Sequence, residues 1–492
     1  MKRIVYLTGS LLAAAALLVC ADDAAERMKK LQALIDPDTA EVLKRINAVD
    51  PYAVPDLKLK REENFAKTPA DIEPYSGVKP YKEFFLEQME YTGPGRAIPE
   101  PGPELKTVKI GFIGPIENLP SVATGGMGHE ASLGKMMLKG AQMAIDEANA
   151  GGGYLRRGIA FELKVVNDNG LWGSSGNEIV NMAYKDHVWA ILGTIDGANS
   201  HIAIRVALKA EILMMNSGDT DPTFTETNIP WTARCIGDDR QMGYLMADYL
   251  FRKLGYKRVA LIRSSNRFGR FGIREVRETA RRMGHPVLLE MAYRVGVDDL
   301  TMQVERLKAT NPDAVVHWGD AADSAVVLNT MRKLGMKQPY FANNRTVSDE
   351  FVKLAGGNAE GVIAAYPWNP VREDPKLEAF RERFRKRYGE EPETYAAHGY
   401  DGMNMLIWAT QVAGLNRAKI RDVIAYRVKP WPGVTGDIPL SSSLDDLGDV
   451  YLAKFEHGKW TYHSREQWQI PQGYIPPRSR VARGLEAEAK KE

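Results

Sequence analysis

The chain has 492 residues, with 65 Lys and Arg against 63 Asp and Glu for a net charge of +2, and 44% of its residues are hydrophobic. This length predicts two or three domains. The nearly balanced charge excludes a whole-chain attraction to nucleic acid or to an anionic membrane surface. Its two cysteines, Cys20 and Cys235, exclude a disulfide framework, because the first lies in a segment predicted to be cleaved or lipidated. Cys235 is predicted to be a buried structural residue.

Residues 1–21 have the pattern of an export signal. The start is positively charged, and the apolar run 11–19 is too short to span a bilayer but has the length of a signal-peptide core. Small residues predict cleavage after Ala21. One alternative is a degraded lipoprotein box that places lipid on Cys20, and another is an anchor that is never cut. The pattern predicts an exported, periplasmic protein.

Residues 22–105 differ in character from the rest of the chain and predict a mostly helical or irregular N-terminal extension. Two short amphipathic helices are predicted over 24–35 and 40–46. Gly and Pro over 91–103 predict a linker. The extension is either a solvated spacer or an arm that docks a partner. At the other end of the chain, residues 471–492 are predicted to form a polar tail.

From residue 108 onward, short apolar runs alternate with helical patterns. Strands are predicted over 108–114, 159–166, 188–192 and 212–215, with helices over 132–150, 176–186 and 201–209. Such alternation predicts parallel βαβ units in a doubly wound sheet. The polar loops 194–200 and 216–222 then lie at the carboxyl edge of neighbouring strands, where open α/β sheets bind small ligands.

A second series of the same kind follows. Strands are predicted over 259–263, 287–293, 314–318, 340–342 and 361–366, and two short strands over 449–463. Polar residues again follow several strand ends. The predicted fold class is therefore α/β, with two doubly wound parallel-sheet lobes joined by a hinge.

Several local strings, in this order, resemble the periplasmic solute-binding proteins of ABC importers of the branched-chain amino acid (leucine-binding) type. The similarity runs from about residue 107 to 465, and the strings are 110–115, 144–152, 190–193, 234–243, 359–361 and 400–402. The resemblance implies a type I two-lobe fold whose lobes close around a ligand. It implies lobe 1 from residues 106–235 plus 369–440, and lobe 2 from 236–368 plus 441–470.

The resemblance also implies a binding site in strand-end loops of both lobes. The corresponding residues are Gly197, Ala198, Asn199, Gly218, Asp219, Thr220, Phe268, Trp318, Asp320 and Asn344. Two alternatives stay open: Thr220 belongs to a merely structural turn, and Trp318 belongs to the core.

The ligand expected from these residues departs from leucine. Amino-acid binders of this type hold the ligand carboxylate with a Ser hydroxyl and backbone N–H groups where this chain has Gly197, which keeps only the N–H groups and the start of a helix. They place a carboxylate for the ligand ammonium where this chain has uncharged Asn344. The expected ligand is therefore an amino acid, an amide, or a carboxylate or alcohol with an apolar body.

The predicted function is capture of a small solute and its delivery to an ABC permease in the inner membrane. The protein is predicted to be a monomer that is not an enzyme, uses no cofactor or metal and binds no nucleic acid. Residues 128–136 resemble a phosphate-binding loop, but the spacing is one residue too long and Met136 replaces the magnesium-binding Ser or Thr. The alternatives are a sensory module that signals to a membrane partner, and a periplasmic hydrolase that uses His317 and Asp320.

Overall fold

The computed structural model describes residues 91–467, except 92, 103, 118–119, 122–125, 128–130, 169–171, 228, 427–429 and 442. The predicted signal peptide, the polar tail and the extension up to residue 90 lie outside the described residues. Within the described part, no helix has the length and apolar character needed to cross a bilayer.

The first sheet is fully parallel. The strands of this part of the chain are β1 (Thr107–Gly114), β2 (Pro120–Ser121), β3 (Gly126–Met127), β4 (Ala160–Asn167), β5 (Ile191–Leu192), β6 (Met214–Asn216) and β7 (Thr232–Arg234). The sheet order is β4-β1-β5-β6-β7, with β2 and β3 forming the ribbon. Most residues of β1, β5, β6 and β7 are buried, as expected for parallel strands covered by helices on both faces.

The second sheet has seven strands. The remaining strands of the chain are β8 (Val259–Ser264), β9 (Leu289–Tyr293), β10 (Ala314–Trp318), β11 (Tyr340–Ala342), β12 (Ile363–Tyr366), β13 (Trp431–Pro432), β14 (Asp437–Ile438), β15 (Tyr451–Glu456) and β16 (Lys459–His463). The order is β16-β15-β12-β11-β10-β8-β9, and β13 pairs only with β14. Strands β8 to β12 are parallel, whereas β15 and β16 are added antiparallel.

Eleven α-helices in the described part of the chain cover the two sheets. They are α1 (Ala131–Ala150), α2 (Trp172–Val180), α3 (Gly197–Ala210), α4 (Asp239–Ala247), α5 (Arg267–Arg282), α6 (Thr301–Ala309), α7 (Ala321–Lys333), α8 (Asp349–Ala355), α9 (Pro375–Tyr388), α10 (Thr394–Ala413) and α11 (Arg417–Ala425). We call the first sheet with α1 to α3 and α9 to α11 lobe 1, and the second sheet with α4 to α8 lobe 2. The chain passes between the lobes after β7, after β12 and before β15, and the predicted fold class is confirmed.

Helix α10 packs against α1, within lobe 1, at very short range. A Cβ atom at Gly140 would overlap the carbonyl oxygen of Ala396, and one at Gly399 would meet the carbonyl oxygen of Met137. Glycine at both contacts lets the two backbones approach each other. This packing joins the C-terminal part of lobe 1 to its first helix.

Residues 91–98 differ from the predicted linker, because they dock on lobe 1. The buried Arg96 forms a two-pronged ion pair with Asp422 of α11, at 2.6 and 3.1 Å. The Tyr91 hydroxyl donates to Glu211 at 2.6 Å, and the Asn416 amide donates to the carbonyl oxygens of Gly95 and Ile98. The extension therefore leaves the protein from lobe 1.

Candidate functional site

The first predicted loop is shorter than expected, because α3 begins at Gly197 and not near residue 201. Asp196 caps the helix: its Oδ1 accepts from the backbone N–H groups of Ala198, at 2.7 Å, and Asn199, at 3.3 Å. An Asp at this position satisfies the free N–H groups of a first turn. Two of the three amides that were predicted to meet a ligand anion, those of Ala198 and Asn199, therefore bind the carboxylate of Asp196.

The side chain of Asn199 points into lobe 1. It donates to Oδ1 of the buried Asp168, which also accepts from the Ser175 hydroxyl at 2.7 Å, while Oδ2 accepts from the Thr194 hydroxyl at 2.6 Å. This network joins the ends of β4 and β5. The side chain of Asn199 therefore forms its hydrogen bond within lobe 1.

The second predicted loop is a buried, internally bonded turn. Oδ1 of Asn216 accepts from the backbone N–H groups of Gly218 at 2.9 Å and Asp219 at 2.7 Å. The Thr220 carbonyl oxygen accepts from the Asp239 N–H at 2.8 Å. Burial, together with the neighbouring Asp221, raises the pKa of Asp219 to about 7. The turn ties the start of α4 to the end of β6.

Two predicted aromatic residues of lobe 2 lie side by side. The ring centroids of Phe268 and Trp318 are 6.3 Å apart. Trp318 is fully buried beneath α5, where a Cβ atom at Gly272 would overlap its indole. The structure thus places Trp318 in the core of lobe 2, and Phe268 above it at the interlobe surface.

Arg345, which was not predicted, lies at the centre of the interlobe surface. Its guanidinium donates to Oδ1 of Asp320 at 2.7 Å and to the carbonyl oxygen of Ile195, in lobe 1, at 3.4 Å. It stacks on the Phe268 ring at 3.8 Å from the centroid, and its side chain is only 2% exposed. Burial raises the pKa of Asp196, and the Arg345 guanidinium opposes that rise. Arg345 therefore faces carboxylates from both lobes.

Asn344, directly before Arg345, also reaches lobe 1. Its Nδ2 donates to the hydroxyl of Tyr395 in α10 at 3.2 Å, and its Oδ1 is buried with no hydrogen-bond partner among the described residues. Strand β11 ends at Ala342, so both side chains sit at the carboxyl edge of the second sheet. The sequence offered one signal for Arg345: it is a positively charged residue directly after Asn344, which was itself predicted to lie in the site.

A cavity of about 440 Å³ opens between the lobes beside Arg345. Lobe 1 contributes the first turns of α1 and residues 390–393, and lobe 2 contributes Asp320, Arg345 and the start of α8. Part of its wall is aromatic, from Tyr366, Trp368, Trp460 and Tyr462. Of the ten predicted site residues, only Asp320 lines this cavity.

The cavity carries charges of both signs. Lys139 forms an ion pair with Glu390 at its rim, and Arg345 and Asp320 form another inside it. Burial, reinforced by Glu390 and Asp349, raises the pKa of Glu393 to about 8. The arrangement offers a guanidinium to an anion and carboxylates to an ammonium group, next to apolar and aromatic surface.

His317 and Asp320 are held by different partners. His317 is fully buried, with its ring stacked between those of Tyr293 and Tyr340, and its Nε2 lies 2.6 Å from the Tyr293 hydroxyl. Burial lowers the pKa of His317 to about 3. The Asp320 carboxylate binds Arg345 instead. The acid–base pair of the hydrolase hypothesis is therefore not assembled.

The described part of the chain contains no group of three or more His, Cys, Asp or Glu arranged to hold a metal ion. Cys235 is a buried free cysteine, and burial raises the pKa of its thiol. This agrees with the structural role predicted for Cys235.

The fold and the interlobe cavity define a two-lobe α/β binding protein. Residues 107–444 match the profile of the periplasmic binding protein family, and the chain belongs to that family. Family membership supports a solute-binding role.

Two curated relatives illustrate the similarity. The Leu/Ile/Val-binding protein homolog 1 of Brucella suis is 27% identical over 334 residues, covering 68% of this chain and 87% of the relative. The leucine-, isoleucine-, valine-, threonine- and alanine-binding protein of Pseudomonas aeruginosa is 22% identical over 355 residues, covering 72% and 90%.

Solved structures share the fold. A leucine-binding protein of Thermotoga maritima superposes with a TM-score of 0.65 at 23% identity, covering 73% of this chain and 98% of that one. A solute-binding protein of Rhodopseudomonas palustris in complex with benzoate superposes with a TM-score of 0.64 at 15% identity, covering 75% and 99%.

Proposed function

We propose that this protein is an exported solute-binding protein that captures a small carboxylate-bearing solute, an amino acid or a related acid with an apolar body, between its lobes for an ABC importer. The observation that carries the proposal is Arg345, a guanidinium buried between the lobes at the edge of a 440 Å³ cavity. A planar guanidinium binds a carboxylate through two parallel N–H donors.

The size and lining of the cavity support this class of ligand. Its volume lies within the range of roughly 300–1,000 Å³ that is usual for small-molecule sites. Trp460 and Tyr462 supply apolar surface for the body of the solute. Asp320 supplies a carboxylate for an amino group if the solute has one, and the Glu393 carboxyl group, which the raised pKa keeps largely protonated near pH 7, supplies a further hydrogen-bonding group.

The comparisons support the same class from a different direction. The relatives are named for branched-chain amino acids, and the structural neighbours include one in complex with isoleucine and one with benzoate. A carboxylate is common to these ligands, whereas the amino group is not. We therefore place the carboxylate on Arg345 and leave the amino group optional.

The location and partner form the second part of the proposal. Residues 1–21 direct export. The two lobes that close on the solute are formed by residues 106–235 plus 369–440 and by residues 236–368 plus 441–470. A permease recognises the closed protein. Because segment 91–98 is docked on lobe 1, the N-terminal extension would tether the protein through lobe 1. Such a tether is compatible with transport and with sensing. Import is preferred because two of the structural neighbours are named as transporter substrate-binding proteins.

A matched ligand series tests the solute class. L-Leucine is compared with L-leucinamide, which lacks the carboxylate, and with 4-methylpentanoate, which lacks the amino group; L-phenylalanine and benzoate form a second series. Differential scanning fluorimetry and calorimetry report binding, since a ligand that binds only the folded state stabilises it. We expect loss of the carboxylate to weaken binding far more than loss of the amino group.

The same experiment contains the contrary outcomes. If L-leucinamide binds as tightly as L-leucine, Arg345 is not a carboxylate site. If no carboxylic acid stabilises the protein at millimolar concentration, the solute class is wrong. Chemical conversion of any bound compound, followed by mass spectrometry, would favour the hydrolase hypothesis.

A further inference from the structure

A second arginine of lobe 2 crosses to lobe 1, away from the cavity. Arg267, the first residue of α5, forms an ion pair with Asp221 at 2.6 Å between Nε and Oδ2. Its Nη2 lies 2.8 Å from the hydroxyl of Thr223 and 2.9 Å from Nε2 of His201. One side chain thus contacts three residues of the opposite lobe.

Both partners of this ion pair are held in place by their own lobes. Asp221 is buried, and its Oδ1 accepts from the backbone N–H of Thr223 at 2.9 Å and from its hydroxyl at 2.7 Å. Arg267 lies 4.0 Å from the ring centroid of Phe271, which Arg274 covers at 4.5 Å. Because both groups are already positioned, little conformational entropy is lost when the lobes meet.

The contact also covers part of the predicted site. A Cβ atom at Gly197 would lie 3.1 Å from Cδ of Arg267 and 3.1 Å from Oδ2 of Asp221. Arg267 therefore sits over the first turn of α3, where Asp196 already binds the amides of Ala198 and Asn199. None of the residues in this contact lines the 440 Å³ cavity.

We propose that Arg267 is an interlobe clamp that closes the α3 end of the cleft whether or not a solute is bound, and so confines the solute to the cavity beside Arg345. The clamp needs no ligand, because all its partners belong to the protein. It determines specificity by position: a solute cannot reach the start of α3 while Arg267 occupies that space.

The clamp has a consequence for affinity. A protein that is already partly closed spends less binding free energy on closure, since apparent affinity scales with the population of the competent state. If the clamp stabilises the closed state by about one or two kcal/mol, its loss lowers the ratio of closed to open protein roughly 5- to 30-fold. The solute is expected to dissociate faster once the clamp is removed.

The test measures the distance between the lobes without solute. Spin labels are placed on cysteines at Leu208 in lobe 1 and Met302 in lobe 2, both exposed, in the full chain carrying Cys20→Ser. We expect a short distance between the two labels in the protein that retains Arg267, and a longer, broader distribution of this distance in Arg267→Met. Arg270→Met is the matched control, because the side chain of this exposed arginine of the same helix donates to the Ser265 carbonyl oxygen of its own lobe.

Further variants keep the result independent of folding defects. Asp221→Asn weakens the same ion pair from the other side and should lengthen the distance, whereas Arg267→Lys should keep part of the closure. Circular dichroism confirms that each variant is folded. An unchanged ligand-free distance in Arg267→Met and Asp221→Asn would overturn the clamp. Because no solute is present, this result is independent of the proposed ligand class.

Discussion

Arg345 and Asp320 form an ion pair of 2.7 Å whose side chains are both more than nine-tenths buried, at the point where the two lobes meet. A buried ion pair repays little more than its desolvation cost, so it contributes little to the stability of the fold. It does leave one fixed cation and one fixed carboxylate in the cleft. A solute with a carboxylate gains charge-assisted hydrogen bonds from the cation without ordering it first.

Arg345→Met is expected to weaken binding of the preferred solute. Methionine keeps much of the side-chain length but removes the charged donors, and hydrogen bonds to charged groups contribute about 1.5–3 kcal/mol, or roughly 10- to 150-fold in affinity. Calorimetry measures the change. Arg306→Met, an exposed position on α6, is the control and should bind as the unmodified protein does. Equal affinity in the two variants would remove Arg345 from the site.

Asp320→Asn separates solutes with an amino group from those without one. The amide keeps the shape of Asp320 but loses its charge, so an ammonium group loses its carboxylate partner while Arg345 is released for the solute carboxylate. We expect weaker binding of L-leucine and unchanged or tighter binding of 4-methylpentanoate. The ratio of the two dissociation constants is the readout. If both acids weaken equally, Asp320 acts only by orienting Arg345.

Much of the fold was predictable because its strands are continuous apolar runs. The apolar residues of β1, β8 and β10 made strand–helix alternation visible, and the alternation predicts a parallel sheet. The start of α3 was missed although Asp196 has the residue type of an N-cap. Asp196 lies several residues before the first apolar positions of the helical pattern, so it was not identified as the N-cap.

The centre of the site was less predictable, because its contacts join distant parts of the sequence. Arg345 pairs with Asp320 across 25 positions and with the Ile195 carbonyl across 150. Local patterns do not encode such contacts. Thr220 lies outside the cavity lining, and its carbonyl oxygen accepts from the backbone N–H of Asp239; its role at a ligand stays a prediction.

His317 is expected to make the protein less stable in mild acid. Burial lowers its pKa to about 3, whereas a histidine in the unfolded chain has a pKa near 6.5. Below that value the unfolded state binds a proton that the folded state does not, so stability falls with pH until the folded pKa is reached. The contribution is about 1.4 kcal/mol per pH unit, or roughly 2 kcal/mol between pH 6.5 and 5.

His317→Gln tests this contribution, since glutamine does not titrate and still offers a polar group to Tyr293. Urea unfolding at about pH 6.5 and about pH 5 should show a smaller loss of stability in the variant than in the unmodified protein. His457→Gln, at an exposed turn, should keep the original loss. An identical pH dependence in all three proteins would contradict the assignment.

Arg96→Met is expected to release the segment 91–98 from lobe 1. Removing one partner of a buried ion pair costs about 3–5 kcal/mol, but Arg421 also lies 3.1 Å from Asp422 and keeps that carboxylate paired, so we expect about 2 kcal/mol. Urea unfolding gives the free energy. Limited proteolysis with mass spectrometry should then find new cleavage between residues 91 and 105. Solute affinity should stay unchanged, because Arg96 lies outside the cavity lining; protection from proteolysis equal to that of the unmodified protein would show that the other contacts of Tyr91 and Asn416 suffice to hold the segment.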